Sequence, residues 1–373
     1  MRIPPRIPLS APDVTEAEIA AVSAVLRTPH LSLGPKLEEF EQAMARYAGT
    51  AHAVAVSSGT SALHLCIRAL GIGAGDEVIV PSFTFIAVAN APRYERATPV
   101  FVDIDPATLN IDPAKIEEAI TPRTRAIVVV HTFGVPAALV EIMAIARRHG
   151  LFVIEDACEA CGGELDGRKV GSFGDAGVFA FYPNKQITTG EGGVIVTGDA
   201  RLAELARKLR NHGRGASGEW FEHEELGYNY RISELNCALG IEQLERIEAI
   251  LARREGVAGE YQRRLADHPD WDLPPLALAR RRISWFVYVV RLRRHRPPAH
   301  RDRVLEAMAA RGIACGRYFA PIHLQPAYRN EPHRCMDLTH TEFIAPRTLA
   351  LPFFNRITGE QIEEVCAALK EVT

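Results

Sequence analysis

One lysine of the sequence lies where it could act as a nucleophile. Lys185 follows an apolar, aromatic run and precedes a loop rich in threonine and glycine, within the stretch GVFAFYPNKQITTGEGG at 177–193. Most lysines are solvated surface residues. A lysine amine that burial or neighbouring positive charge keeps neutral can instead attack a carbonyl carbon. A lysine in such a loop is suited to forming a Schiff base, which predicts covalent chemistry on a carbonyl compound.

Two further segments could bind the rest of such a ligand. Residues 57–61, SSGTS, follow an apolar run and begin a helical pattern, so the free N–H groups of the helix start could bind a phosphate. The same serines would also serve as ordinary helix caps. Residues 151–161, LFVIEDACEAC, form a strand pattern ending in Glu155 and Asp156. Ligands of α/β sheets bind at the carboxyl ends of strands, so a carboxylate there is either solvated or paired with a bound group.

The composition excludes several classes of protein. The 373 residues are 47% apolar and 24% charged, with a net charge of −3, which indicates a globular chain of two or three domains at roughly 100–200 residues each. Disordered, collagen-like and disulfide-stapled classes do not fit. A charge balance this close to neutral argues against binding nucleic acid or a membrane surface.

The cysteines and the N-terminus predict a cytoplasmic protein. Seven scattered cysteines, an odd number, are typical of reduced thiols and not of a disulfide framework. The first residues, MRIPPRIPLS, are not followed by the apolar stretch of a signal peptide, and no apolar run is long enough to span a bilayer. Cys158 and Cys161 have CxxC spacing but no second ligand pair at matching spacing, so we interpret them as packing residues and predict no metal site.

Strands and helices must position these residues. Up to Gln243, short apolar runs alternate with amphipathic stretches, which predicts α/β layers around a mostly parallel sheet. Apolar residues at helical spacing predict helices, and a later charged, proline-containing part predicts a smaller α+β domain. The predicted strands are 53–56, 77–80, 99–103, 126–131, 151–156, 177–182, 193–197 and 284–292; the predicted helices are 36–47, 62–70, 139–149, 244–265, 301–311 and 359–372. The predicted domains are 1–245 and 246–373.

Taken together, these segments resemble the pyridoxal-phosphate-dependent sugar aminotransferases of the DegT/DnrJ/EryC1/StrS family. The resemblance covers nearly the whole chain. It implies the aspartate-aminotransferase-like (type I) fold, with a large cofactor-binding domain and a smaller C-terminal domain. It also implies a homodimer whose active sites are shared between the subunits. The matching stretches are SSGTSALHL, GDEVIVPSFTF, ATPVFVDID, IEDACEA, GSFGDAG, FYPNKQITTGEGG, GYNYRISELNCALG and PIHLQPAYR.

The resemblance also implies roles for single residues. Lys185 would hold pyridoxal phosphate covalently and move protons, and Asp156 would pair with the pyridine nitrogen of the cofactor. The other implied cofactor-binding residues are Gly59 and Thr60 at the phosphate, Phe85 on the ring, Glu159 near the ring hydroxyl, Ala180, and Asn229 from the neighbouring subunit. The implied substrate-binding residues are Arg231, for anions, and His323, for the sugar nucleotide.

One position departs from the family pattern. The family often has serine five residues before the lysine, where its hydroxyl contacts the phosphate, and this chain has Ala180. The lost hydrogen bond to a charged group is worth about 1.5–3 kcal/mol, which could weaken cofactor retention. Related sugar dehydratases carry histidine in place of the lysine, so Lys185 favours amino transfer over deoxygenation.

The implied reaction moves an amino group from L-glutamate to a keto group of a nucleotide-linked sugar, expected to be a 4-keto-6-deoxy sugar aminated at C-4. Two alternatives remain: an aminotransferase acting on a keto-inositol, and a non-catalytic regulatory protein that retains the fold. A nicotinamide-dependent oxidoreductase does not fit, because the glycine run GIGAG at 71–75 follows a helical pattern and lacks GxGxxG spacing.

Overall fold

The computed structural model describes residues 5–215 and 222–373. Within these residues, no helix combines the length and the apolar character that crossing a bilayer requires. The helices are α1 (Glu16–Val25), α2 (Pro35–Ala48), α3 (Gly59–Ala69), α4 (Ala87–Tyr94), α5 (Pro113–Ala119), α6 (Leu139–His149), α7 (Ala200–Arg210), α8 (Glu234–Glu245), α9 (Ile247–Leu265), α10 (Ala299–Ala310), α11 (Thr339–Ile344) and α12 (Gly359–Val372). The strands are β1 (His52–Val56), β2 (Glu77–Pro81), β3 (Thr98–Val102), β4 (Thr124–Val130), β5 (Phe152–Asp156), β6 (Glu164–Leu165), β7 (Arg168–Lys169), β8 (Ala176–Ala180), β9 (Gly193–Thr197), β10 (Trp271–Asp272), β11 (Arg281–Arg282), β12 (Tyr288–Leu292), β13 (Arg334–Cys335) and β14 (Thr348–Leu351).

The largest sheet of the described part has the strand order β1-β9-β8-β5-β4-β2-β3-β13. Strand β9 runs antiparallel to its neighbours β1 and β8. The other neighbouring strands are parallel. This confirms the α/β fold with a mostly parallel central sheet that the sequence predicts.

Alternate residues of each central strand enter cores on opposite faces of the sheet. In β1, Ala53 and Ala55 pack in the core that contains residues of α2 and α6, whereas Val54 and Val56 pack in the core of α3, α4 and α7. Since both faces are covered by helices, the middle residues of the strands are mostly apolar, and their sequences contain short continuous apolar runs.

A third core lies in the C-terminal part of the chain, against the antiparallel sheet β10-β12-β14. Its large buried side chains include Tyr261, Trp271 and Tyr288, and Ile7 of the N-terminal segment packs among them. The first turns of helix α9 pack in the core that contains residues of α2 and α6, and its last turns pack in the third core. The boundary between residues 245 and 246 stays a prediction.

One predicted helix begins three residues later in the structure. The pattern over 244–265 predicts a helix, and α9 covers all of it from Ile247, because Arg246, with φ −95° and ψ 2°, separates α9 from α8. Both helices have apolar residues at helical spacing, so the pattern continues across the break.

One predicted strand begins later than expected. The apolar run 284–292 predicts a strand throughout, but β12 starts at Tyr288. The buried Arg254 side chain donates hydrogen bonds to the backbone oxygens of Trp285 (2.6 Å) and Phe286 (2.7 Å). A side chain from α9 therefore takes carbonyl groups that a sheet partner would otherwise use.

Candidate active site

A cavity of about 490 Å³ lies at the carboxyl edge of the central sheet. Strands β2, β4, β5 and β8 are parallel and end at this edge, which is where ligands of α/β sheets bind. Seven of the eight predicted cofactor-binding residues line the cavity, so the fold brings together segments more than 100 positions apart. They are Gly59, Thr60, Phe85, Asp156, Glu159, Ala180 and Lys185.

Lys185 is held in place by its own loop. Its backbone N–H donates to the backbone oxygen of Tyr182 (2.9 Å), which closes a turn directly after β8. The next residue, Gln186, is buried, and its side-chain amide donates to the backbone oxygen of Glu159 (2.6 Å) and to Ser284 Oγ (2.9 Å). The lysine therefore extends from a loop that is anchored on both sides.

The Lys185 amine contacts an acid and an aromatic ring. Its Nζ lies 3.7 Å from Glu159 Oε1 and 4.0 Å from the centre of the Phe286 ring. Burial raises the pKa of the Glu159 carboxyl; Lys185 and the N–H of Phe133 oppose the rise, and the charge of Asp156 adds to it. Glu159 therefore binds a proton more readily than a solvated glutamate does, and it can donate or accept a hydrogen bond beside Lys185.

The start of α3 forms one end of the cavity. Ser58 caps this helix by accepting a hydrogen bond from the N–H of Ser61 (3.1 Å), and Gly59 and Thr60 begin the helix at the cavity wall. N–H groups in the first turn of a helix have no partner within it, and the helix dipole favours an anion there. This end of the cavity fits a phosphate, although Ala180 offers no hydroxyl to it.

We expect Gly59→Ala to weaken the binding of pyridoxal phosphate roughly tenfold or more. A Cβ at Gly59 would lie 2.7 Å from the Ala180 Cβ and 3.0 Å from the Cys158 Sγ, so the helix start would have to move away from the cavity. The dissociation constant of the cofactor, measured by fluorescence titration, checks this. Gly198→Ala is the matched control, because a Cβ there meets no atom within 4 Å. Equal affinities of the two variants would contradict the prediction.

Two more side chains complete a site that fits pyridoxal phosphate. Phe85 lines the cavity with 60% of its side chain exposed, so a large ring face is open to a planar ligand. Asp156 ends β5 with 7% exposure, and its Oδ1 accepts a hydrogen bond from the N–H of Cys158 (3.1 Å). Lys185 pairs with Glu159 and not with Asp156, which leaves the Asp156 carboxylate free for a positive ring nitrogen.

Two of the expected site residues lie outside this cavity. Asn229 is exposed, and its backbone pairs with that of Asn211. Arg231 donates a hydrogen bond to Asn211 Oδ1 (3.0 Å). The implied roles of Asn229 at the cofactor of a neighbouring subunit and of Arg231 at a substrate anion stay predictions.

A polar cluster fixes the position of Asn229 relative to α3. His64 of α3 is hydrogen-bonded to Glu95 Oε1 (2.9 Å) and to the Tyr230 hydroxyl (3.0 Å), and the Tyr228 hydroxyl donates to the same Glu95 oxygen (2.8 Å). Burial and the Glu95 carboxylate raise the pKa of Tyr228 to about 12. The two tyrosine rings stack at 5.0 Å, so the residues on both sides of Asn229 are held against the helix that begins at the phosphate end.

His323 also lies outside the lining of this cavity. Its Nδ1 is hydrogen-bonded to Ser82 Oγ (2.7 Å) and its Nε2 to Glu342 Oε1 (3.2 Å). Burial lowers the pKa of His323, and Glu342 opposes this shift. Because Ser82 begins the segment that carries Phe85, the histidine anchors that segment in the structure, and its contact with a sugar nucleotide stays a prediction.

Sequence reasoning missed much of the cavity wall. Phe286, Tyr318 and Phe319 come from the C-terminal part of the chain and line the cavity beside Lys185. Nothing in their local sequence marks them, because their position depends on how the third core packs on the sheet. Asn184 did carry a signal, since it directly precedes Lys185. The other lining residues that the sequence did not single out include Thr84, Tyr182 and Glu191.

The CxxC cysteines pack as expected. Cys161 is buried in the core that contains residues of α2 and α6, and burial raises its pKa to about 12. Burial and the Asp156 carboxylate raise the pKa of Cys158 as well, so both thiols stay protonated. No group of three or more metal-ligating side chains occurs in the described ranges.

The whole chain is similar to a family of known enzymes. Residues 12–370 match the family described as the DegT/DnrJ/EryC1/StrS aminotransferase family. The chain is 44% identical to the GDP-perosamine synthase of Caulobacter vibrioides, over 99% of this chain and 98% of that protein. It is 38% identical to the spore coat polysaccharide biosynthesis protein SpsC of Bacillus subtilis, over 98% and 97% of the two chains.

The fold is similar to that of solved aminotransferases. The crystal structure of S. venezuelae DesV superposes with a TM-score of 0.90 and 39% identity, and the match covers 98% of each chain. This similarity confirms the type I fold that the sequence motifs imply.

Proposed function

The chain belongs to the DegT/DnrJ/EryC1/StrS aminotransferase family, and from this premise we propose that its amino donor is L-glutamate and its acceptor a GDP-linked 4-keto-6-deoxy sugar. It is a pyridoxal-phosphate-dependent sugar aminotransferase that transfers an amino group to a keto group of a nucleotide-linked sugar. The identity of the amino donor, the nucleotide and the position of the keto group are what we propose beyond the family membership.

The observation that carries the proposal is the shared cavity of Lys185, Asp156 and the start of α3. A nucleophilic amine, a carboxylate and an anion-binding helix end are the groups that pyridoxal phosphate requires, and they line one space. The GDP moiety is supported by the similarity to GDP-perosamine synthase. Amination at C-4 is supported by the GYNYR turn and the loop after Lys185.

The residues of the cavity have different roles in amino transfer. When bound, pyridoxal phosphate supplies a conjugated ring that takes up the negative charge left on a carbon by proton removal. Lys185 Nζ removes a proton from the α-carbon of the donor and returns a proton to the sugar carbon that bore the keto oxygen. Asp156 would pair with the ring nitrogen and keep it positive, and the start of α3 would bind the phosphate. The Phe286 ring, whose centre is 4.0 Å from Lys185 Nζ, excludes water from one side of the amine.

We further propose that two copies of the chain share their active sites. Asn229 is exposed on its own subunit while the neighbouring tyrosines are fixed, which suits a side chain that reaches into the cavity of a second copy. A cytoplasmic location is part of the same proposal, and it is supported by the free state of all seven cysteines.

Transfer of labelled nitrogen tests the proposed function. With pyridoxal phosphate, ¹⁵N-labelled L-glutamate and a GDP-linked 4-keto-6-deoxyhexose, we expect a GDP-linked amino sugar that carries the label, detected by mass spectrometry. Unlabelled glutamate is the control for the mass shift. A parallel reaction offers a keto-inositol in place of the nucleotide sugar. Label that enters the inositol and not the nucleotide sugar would refute the proposal.

A further inference from the structure

The cavity contains a polar atom that the chain itself does not satisfy. Asn184 Oδ1 is buried, and nothing in residues 5–215 and 222–373 donates a hydrogen bond to it. Buried amide oxygens without a donor are rare because no hydrogen bond offsets the free energy lost when water is removed from them. Asn184 lines the cavity directly before Lys185, so a donor group of a bound molecule is the expected partner.

A phenol from the C-terminal part of the chain lies beside this amide. Tyr318 lines the same cavity, and its phenol oxygen accepts a hydrogen bond from the side-chain N–H of Asn184, which leaves Asn184 Oδ1 unpartnered. Burial and the Glu159 carboxyl raise the pKa of Tyr318, whereas the hydrogen bond with Asn184 opposes the rise. The phenol keeps its proton, so Asn184 and Tyr318 together present one free acceptor and one hydroxyl.

The surroundings of this pair are aromatic. The Phe319 ring centre lies 5.1 Å and the Phe286 ring centre 6.3 Å from that of Tyr318. An amide oxygen among aromatic rings repels a carboxylate or a phosphate and favours an O–H or N–H donor. A sugar meets this requirement, since it has hydroxyl groups to donate and C–H groups to pack on rings.

We propose that Asn184, assisted by Tyr318, is a specificity-determining residue that binds the sugar hydroxyl next to the reacting carbonyl. This inference rests on the proposed function. Asn184 directly precedes Lys185, and Tyr318 lies near Glu159, whose carboxyl is 3.7 Å from Lys185 Nζ. The pair and the Lys185 amine therefore line one cavity, so a sugar that Lys185 acts on is within the space that the pair borders.

The chemistry of the substrate identifies the hydroxyl. In a 4-keto-6-deoxy sugar, the ring neighbours of C-4 are C-3 and C-5. C-3 bears a hydroxyl, whereas C-5 bears a hydrogen, the ring oxygen and the methyl carbon. The hydroxyl that Asn184 Oδ1 accepts from is then the one at C-3.

A comparison of two enzymes and two substrates tests the inference. Wild type and Asn184→Ala, both loaded with pyridoxal phosphate, are assayed with the GDP-linked 4-keto-6-deoxyhexose and with its 3-deoxy analogue. We expect kcat/KM to fall about tenfold or more when either the amide or the hydroxyl is removed, and to fall little further when both are absent. Tyr318→Phe, which keeps the ring, is expected to show a smaller loss of the same kind.

The half-reaction with L-glutamate alone separates this role from a structural one. We expect its rate, followed by cofactor absorbance, to fall by a clearly smaller factor in Asn184→Ala than kcat/KM with the hydroxyl-bearing sugar does, because glutamate lacks that hydroxyl. Equal losses by the variant on both sugars, or a glutamate half-reaction slowed as much as the reaction with the sugar, would overturn the inference. If wild type transfers no nitrogen to either sugar, it is the proposed function that fails.

Discussion

Lys185→Ala is expected to reduce the rate of amino transfer by about 100- to 10,000-fold, the usual contribution of a positioned proton-transfer group. The lysine is the amine that lines the cavity beside Glu159, and its loop is anchored through Gln186. The variant should still bind pyridoxal phosphate, because the start of α3 and Asp156 are unchanged. The rate of labelled nitrogen transfer and the amount of bound cofactor are the two measurements.

A second lysine provides the control. Lys115 lies on α5, where its ammonium is paired with Glu118 (3.6 Å) on the protein surface. Lys115→Ala removes the same group and should leave the rate unchanged. If Lys185→Ala kept more than a tenth of the wild-type rate, Lys185 could not be the proton-transfer group.

Asp156→Asn is expected to lower the rate by roughly 150- to 5,000-fold, since breaking a buried charge pair costs about 3–5 kcal/mol and about 1.4 kcal/mol corresponds to a factor of ten in rate. Asparagine has nearly the same shape and can still accept the N–H of Cys158, but it carries no charge. The ring nitrogen of the cofactor would then lose the partner that keeps it positive, and proton removal by Lys185 would slow. Single-turnover kinetics with L-glutamate measure this step directly.

The matched control for this variant is Asp199→Asn. Asp199 caps α7 by accepting hydrogen bonds from the N–H groups of Arg201 and Leu202, and asparagine is an equally good cap. This variant should behave as wild type. A rate for Asp156→Asn within about fivefold of wild type would show that the carboxylate charge is not needed.

Local sequence patterns were sufficient to predict the site residues that lie at the ends of strands. Apolar runs predicted the central strands, and the chemical residues directly after them, such as Asp156 and Lys185, then had to meet at one edge of a parallel sheet. Gly59 was predictable in the same way, because a small residue between a strand and a helix marks a close approach of backbone to ligand.

Residues placed by distant contacts were not predictable. Phe286 lies over the Lys185 amine because Arg254, from a different helix, fixes its backbone oxygen. The same hydrogen bond shortened the predicted strand 284–292. The hydrogen bonds of the His323 ring to Ser82 and Glu342 were not predictable either, whereas its contact with a sugar nucleotide stays a prediction. Such contacts join segments tens to hundreds of positions apart, and no spacing within one segment records them.

Borohydride reduction shows whether pyridoxal phosphate is attached to Lys185. Reduction converts a covalent link between the cofactor and a lysine into a stable amine, and peptide mass spectrometry then locates it. We predict that the peptide containing Lys185 carries the reduced pyridoxal phosphate, and that adding L-glutamate before reduction removes the label. Label on a different lysine, or no label on a protein that binds the cofactor, would contradict the account.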